Sequence, residues 1–300
     1  MTYPNLDADS GERPRATTPP AVKLPAQACD CHIHVSNGAS RFPVSRQTGY
    51  APMHAPFELH RAVRDTVGLQ RSIAVQLMAY GADNRLLLES LEESGGTMRG
   101  IAEVSAGTTD SELERLHEAG VRGGRFFLEL PRSIPGYTQI HGAGVDDLIA
   151  LAPRMRALNW VAEIGAGAEL IVEVAPQLQR LGIPIVLEHM AGCAASKGVE
   201  DHVFKGVLGL LRTGSFWVKL TICRMSARFP DFEDLRPIHD AFIEAAPERL
   251  VWGSDWPHGK MNSDTPDVGH LLDLFDEWIG HDEMLRRTVL SENPARLFDF

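Results

Sequence analysis

The sequence predicts an α/β protein, a single (β/α)8 barrel of the TIM type with a flexible N-terminal arm. Three observations carry that expectation. Short apolar runs alternate with longer amphipathic ones from residue 26 onward, and the alternation repeats eight times. Each unit takes about 30 residues, and a closed barrel needs roughly 250 in all, which 26–300 supplies. Polar residues able to do chemistry gather where the apolar runs end, as they do at the C-terminal face of a barrel.

The elements follow in order. Residues 1–25 hold five prolines among small and charged residues without apolar periodicity, so they form the arm, and 26–300 form the barrel domain. Strands are expected at 28–35, 71–78, 98–104, 121–128, 160–164, 184–189, 216–220 and 250–254. Helices are expected at 57–67, 84–94, 110–119, 145–158, 168–181, 200–212, 234–246 and 266–279. The competing arrangement is an open doubly wound sheet. It is weakened because no strand is followed by Gly-x-Gly-x-x-Gly, and the nearest candidate, Gly165–Ala166–Gly167, lacks the third glycine.

Composition removes several function classes. The net charge of −11 argues against a nucleic-acid binder, which needs a basic surface to replace phosphate counterions. No apolar stretch approaches the roughly 20 residues that cross a bilayer, and no secretion signal opens the chain, so a cytoplasmic location without membrane partners is expected. With 44% hydrophobic residues the core needs no staples, and Cys29, Cys31, Cys193 and Cys223 are expected as free thiols.

The first strand ends Cys29–Asp30–Cys31–His32–Ile33–His34, and a period of two puts Asp30, His32 and His34 on one face with the cysteines on the other. That opposition, and the missing partner pair, favour packing over a thiolate metal site. The sixth strand ends Leu187–Glu188–His189, and the eighth runs Trp252–Gly253–Ser254–Asp255–Trp256–Pro257–His258. Singly, His189 reads as a structural histidine and Asp255 as a cap or turn former. At the ends of three strands of one barrel, His32, His34, His189 and Asp255 converge on one pocket. They can bind one divalent ion, Zn2+ first, with water completing the site, or polarise a carbonyl without an obligatory cofactor. Asp255 is the candidate general base in either case.

Cations mark the same presumed face: Arg122 and Arg125 on strand four, Arg132 after it, Lys219 on strand seven, Arg224 beyond, and His258 with Lys260 after strand eight. Most arginines are merely solvated, but a cluster in a protein this acidic points to a small anionic substrate. Glu163, ending strand five, is read first as the ion-pair partner of an arginine. Tyr50 and Tyr80 lie in loops, as substrate contacts or as packing residues.

These motifs, with Tyr80–Gly81–Ala82–Asp83–Asn84–Arg85, Gly120–Val121–Arg122–Gly123–Gly124–Arg125–Phe126 and Glu292–Asn293–Pro294, make the chain resemble the amidohydrolase superfamily from residue 26 onward, nearest its pyrone-dicarboxylate lactonase branch. The resemblance implies a barrel that hydrolyses a small acidic lactone. It gives Asp255 the activation of water, His32, His34 and His189 the lactone carbonyl, and Arg125 a substrate carboxylate. Relatives in the wider superfamily place zinc at the corresponding positions. The chain departs from the branch at Met190–Ala191–Gly192, near Gly165 and at Gly259–Lys260, where an arginine, a tyrosine and Pro-Asn are expected. A repositioned acidic group is implied, which favours a muconolactone bearing carboxylate or sulfonate over the pyrone dicarboxylate. The expected substrate contacts are thus Arg125, Arg132, Arg224, His258, Tyr50 and Lys260. Alternatives on the same scaffold are a metal-dependent decarboxylase or lactone isomerase, and a non-catalytic anion-binding barrel. A Ser/His/Asp hydrolase is disfavoured because no Gly-x-Ser-x-Gly elbow occurs.

Overall fold

Apolar runs too short for helices pair as parallel strands, because a strand covered on both faces must be hydrophobic along its whole length. A computed structural model describes residues 14–37, 41–44, 52–128, 144–259, 261 and 265–300. Its strands are β1 (Cys29–Ile33), β2 (Arg71–Val75), β3 (Met98–Ala102), β4 (Val121–Phe127), β5 (Val161–Gly165), β6 (Ile185–Leu187), β7 (Phe216–Leu220) and β8 (Leu250–Trp252). They pair in chain order, each parallel to the next. Parallel neighbours need a crossover, and amphipathic helices cover the outside of the sheet. These are α1 (Phe57–Val67), α2 (Arg85–Glu93), α3 (Asp110–Glu118), α4 (Val145–Ala157), α5 (Ala168–Gln179), α6 (His202–Arg212), α7 (Arg236–Ala245) and α8 (Val268–Trp278).

Local chemistry sets the helix starts. Thr109 accepts the Glu112 amide, Asp201 those of Val203 and Phe204, and Asp267 that of Gly269, so α3, α6 and α8 begin on satisfied donors. In α6, Val203, Phe204, Val207 and Leu211 make the stripe that packs inward. Among the described residues no helix is long and apolar enough to cross a membrane. All four cysteines are unpaired and buried, as expected.

The barrel closes between its first and last strands by a seam rather than a ladder. One bridge joins Ile33 to Trp256, the His34 amide donates to the Trp256 carbonyl at 2.8 Å, and the Asp255 amide donates to the His32 carbonyl at 2.9 Å. Asp30 stitches the seam from within: its carboxylate accepts the Ser254 amide at 2.9 Å, the Ser254 hydroxyl at 2.5 Å and the His32 amide at 3.1 Å. Burial nevertheless pushes the Asp30 pKa up to about 6.

One expectation for β1 fails. The pairing register with β2 shifts between Asp30 and Ile33, so an extra residue breaks the two-residue alternation. Cys29 and Cys31 consequently lie inside the barrel with Ile73, Val75, Ile101, Val161, Val186 and Val251, while Asp30 turns into the seam. His32 also faces inward, toward β5 and β7. The extra residue lets neighbouring side chains share the interior.

Beyond α8 the chain adds α9 (Glu283–Arg287), a π turn (Thr288–Glu292) and α10 (Asn293–Phe298), which the strand–helix count did not include. The Asn293 side chain donates from Nδ2 to the Pro247 and Leu250 carbonyls, fixing α10 under β8. Leu297 and Phe298 join the inner cluster and plug the end of the barrel away from the histidines, each buried side chain contributing about 1.5–3 kcal/mol. The arm is docked from Pro14 onward. Thr18 bonds Asp267 through its amide and hydroxyl, and the Ala21 and Val22 amides donate to Asp273 on α8.

Candidate active site

Two imidazoles from the end of β1 meet a carboxylate from beyond β8. His32 Nε2 lies 3.3 Å from His34 Nε2, and Asp255 Oδ1 lies 3.5 Å from each. The other nitrogen of His34 donates to the Val75 carbonyl at 2.8 Å, since a carbonyl can only accept. On its far side, His32 Nδ1 lies 3.2 Å from Lys219 Nζ and 3.3 Å from Glu163 Oε1. Lys219 and Glu163 are fully buried and joined at 2.6 Å. Burial first, and then the Lys219 charge, hold the His32 pKa well below the ordinary imidazole range, so the ring is neutral.

Glu188, just past β6, holds Arg125 of β4 in a two-pronged pair at 2.7 and 2.9 Å, and Arg125 also donates to the Gln76 carbonyl at 2.9 Å. Its guanidinium stacks 4.6 Å from the Phe127 ring. Burial would raise the Glu188 pKa, but the guanidinium outweighs it and holds the carboxyl below its usual range.

The remaining groups stand on left-handed backbone. His189, Met190 and Ala191 have φ of +45°, +55° and +55°, and Gly192 follows at +68°. A Cβ on Gly192 would lie 2.5 Å from the Ala166 carbonyl, so the turn needs glycine there. The turn sets the His189 ring 4.7 Å from that of His32, with its Nδ1 buried and lacking a hydrogen-bond partner. Asp255 and His258 are also left-handed, at +64° and +65°. Such strain persists only where surroundings over-determine it, and it gathers at functional sites. A Cβ on Gly253 would lie 2.7 Å from the His32 Cβ, so this glycine allows β8 to approach β1 beside the carboxylate.

Burial alone would raise the Asp255 pKa. The Arg224 guanidinium, bonded to Oδ2, together with the surrounding histidines, overrides burial and holds the carboxyl well below its usual range. Beside Arg224 opens a groove of about 820 Å³, lined by Cys223, Arg228, Phe229, Phe232 and Met261 among others. The arrangement offers a carboxylate held ionised, imidazoles beside it and the partly exposed Arg224 guanidinium, with Arg228 lining the adjacent groove.

The amidohydrolase family profile matches residues 29–300. The chain belongs to the amidohydrolase family. It is 33% identical to a 2-pyrone-4,6-dicarboxylate hydrolase of Comamonas testosteroni, over 93% of this chain and 92% of that protein. It is 30% identical to a 4-sulfomuconolactone hydrolase of Hydrogenophaga intermedia, over 92% and 89%. A crystal structure from Acinetobacter baumannii, of a probable 2-pyrone-4,6-dicarboxylic acid hydrolase with citric acid bound, superposes with a TM-score of 0.78 at 26% identity, covering 91% of this chain and all of that one.

In this amidohydrolase His32, His34, His189 and Asp255 come together at the C-terminal ends of the strands. Other expectations need correction. Arg125 is at the same end of the barrel as the histidines, but its guanidinium serves Glu188 and Gln76 rather than facing an open pocket. Arg122 is the second residue of β4, so it lies at the opposite end of the barrel, paired with Asp299. Glu163 is the ion-pair partner of a lysine, Lys219, not of an arginine. His258 is not a cation: burial pushes its pKa down to about 4, and it donates to the Ser254 carbonyl at 3.0 Å. The Tyr80 hydroxyl is engaged with the Asn37 backbone. Tyr50, Arg132 and Lys260 lie outside the described residues.

Glu163, Lys219 and Glu188 were the undervalued members. Each stands in or beside an apolar strand run, and a charge there must be paired or costly, which is a signal the sequence does carry.

The spacing of His32 Nε2, His34 Nε2 and Asp255 Oδ1 suits a divalent ion, since ligands about 2.0–2.1 Å from a tetrahedral centre lie roughly 3.3 Å apart. For both rings to serve as ligands each must offer its Nε2 lone pair, so any proton held between them has to leave first.

Proposed function

We propose that the protein opens the ring of a small lactone carrying one carboxylate or sulfonate, with Asp255 as general base. The observation that carries this reading is the convergence of one ionised carboxylate and the imidazoles of His32 and His34 beside a guanidinium at the barrel mouth. The similarity to hydrolases of 2-pyrone-4,6-dicarboxylate and 4-sulfomuconolactone supports the substrate class.

A water between Asp255 and the lactone carbonyl attacks the carbonyl carbon while Asp255 accepts its proton. The C=O electron pair moves onto oxygen, where His32 and His189 face the developing charge. Collapse breaks the ring C–O bond, and the proton passes from Asp255 to the departing oxygen, leaving a ring-opened acid. Arg224 orients the substrate anion. A strongly ionised carboxylate is a weak base while the guanidinium sits on it; a substrate anion that draws Arg224 away restores its basicity in the loaded site. Arg125 is engaged by Glu188, so among the described residues the guanidinium groups left to meet a substrate anion are those of Arg224 and of Arg228 in the adjacent groove. Arg132, Tyr50 and Lys260 are the remaining candidates for contacts to the same substrate.

The test is product analysis after incubation with carboxylated and sulfonated muconolactones and with pyrone dicarboxylate. Ring-opened acid is expected, and Asp255→Asn is expected to lower kcat by about 10²–10⁴ while preserving binding. An isomeric lactone or released carbon dioxide as the product would replace hydrolysis with another reaction on the same barrel. Binding without turnover would make it an anion-binding barrel.

A further inference from the structure

The proton arrangement around His32 follows from the hydrogen bonds. The Val75 carbonyl takes the Nδ1 proton of His34, so a His34 ring carrying that single proton presents a lone pair at Nε2. That lone pair faces His32 Nε2 at 3.3 Å, and the arrangement is favourable only if His32 carries its proton there. The opposite nitrogen agrees. Lys219 has only donors, and its Nζ lies 3.2 Å from His32 Nδ1, so a proton on Nδ1 would set donor against donor. Glu163 Oε1 is close enough to compete at 3.3 Å, yet it is buried without a hydrogen-bond partner, while Oε2 holds the ammonium at 2.6 Å. Every donor then points the same way, from Lys219 through His32 and His34 to Val75.

We propose that Lys219, anchored by Glu163, is a positioning residue that fixes His32 as the Nε2–H tautomer, making it a neutral hydrogen-bond donor to the substrate carbonyl and setting it against holding a metal ion. Lys219 is sealed from solvent and touches His32 on the side away from Asp255. It acts only through the ring, polarising Nε2–H toward the oxygen that gains charge. The same ammonium stands behind the ring that a divalent ion would have to bind, and it disfavours both the shift of the proton to Nδ1 that would free Nε2 and the second positive charge. Removing it frees Nδ1 to carry the proton toward Glu163, which turns the Nε2 lone pair into the site. The role in turnover rests on the hydrolase reading above; the tautomer does not.

The experiment compares the full-length protein with Lys219→Met and with Lys219→Met/Glu163→Gln, which removes both buried charges should the single variant leave Glu163 too costly to fold. Histidine-selective 15N spectra of the resting, substrate-free proteins report the tautomer, with His32 assigned by the signal lost in His32→Asn. The unmodified protein is expected to show Nε2–H at His32, and the variants a shift toward Nδ1–H. Zinc titration of the same samples is expected to show affinity rising about tenfold or more in the variants. On a lactone that the unmodified protein opens, kcat is expected to fall by about 10² with KM nearly unchanged. An Nδ1–H ring in the unmodified protein, an unchanged tautomer in both variants, or unchanged zinc affinity would overturn the proposal. Failure to open any lactone would strike the functional reading alone, because spectra and titration need no substrate.

Discussion

Arg224 and Asp255 share a contact that a substrate anion would have to divide. The guanidinium side chain is 25% exposed against 1% for the carboxylate, so it is the partner that can reach outward. Replacing Arg224 with methionine removes the anion contact and the charge that depresses Asp255. The expected result is a KM raised about tenfold or more, from a lost charge-assisted hydrogen bond of about 1.5–3 kcal/mol. Initial-rate kinetics on an acidic lactone check it, and an unchanged KM removes Arg224 from substrate binding. The Nε2–H tautomer proposed for His32 has its own consequence: prolonged dialysis against a chelator is expected to leave turnover intact. Loss of activity restored by one equivalent of zinc would show that the proton leaves and an ion enters.

The elements that carry the site differ in how they are held. Glu163 and Lys219 belong to regular strands, whereas His189 stands on a left-handed turn wedged against the β5–α5 connection. Gly192 makes that wedge possible, with the Ala166 carbonyl where a side chain would begin. Gly192→Ala is therefore expected to cost about 1–3 kcal/mol and to displace His189, lowering kcat as well as the urea midpoint. A variant of normal stability and activity would show that the turn yields without moving the histidine. The expected strands 184–189 and 250–254 stop at Leu187 and Trp252, and both ends have left extended geometry by His189 and Asp255. Residue type marked where the polar residues gather, but a left-handed backbone at His189 and Asp255 leaves only a faint signature in the sequence, since His and Asp adopt it more readily than other non-glycine residues yet do so at few positions.

Across the molecule, buried histidines kept neutral couple folding to acid. His60 is fully buried against Trp256, with neither ring nitrogen hydrogen-bonded, and burial with the nearby Arg64 pushes its pKa down to about 3. The unfolded chain binds this proton near pH 6.5 and the folded chain does not. The stability from His60 is thus fully present above about pH 6.5 and is lost as pH falls toward about 3, at about 1.4 kcal/mol per unit. His32, His189, His239 and His258 shift in the same direction. Asp30 opposes them, because its raised pKa favours the folded state as its carboxyl protonates. Urea unfolding between pH 4 and 6.5 is expected to show stability falling with acid, and His60→Phe is expected to flatten the slope by up to one proton. An unaltered slope would place the acid sensitivity elsewhere.

The sequence by itself determined the eight alternating units, the strand ends that bear His32, His34, His189 and Asp255, and the absence of disulfides. These depend on periodicity and residue type, which are local properties. Only the tertiary structure decided which charges face one another. Arg125 belongs to Glu188, Glu163 to Lys219, and Arg122 to the far end of the barrel. Such pairings join different strands or distant parts of the chain, and the β1 register shift that turns both cysteines and His32 inward exists only because β1 must fit β2 on one edge and Ser254 across the seam. Proton positions are settled last, by the nearest donor or acceptor. That is why a motif naming three histidines and an aspartate left zinc open, while one lysine behind a ring bears directly on it.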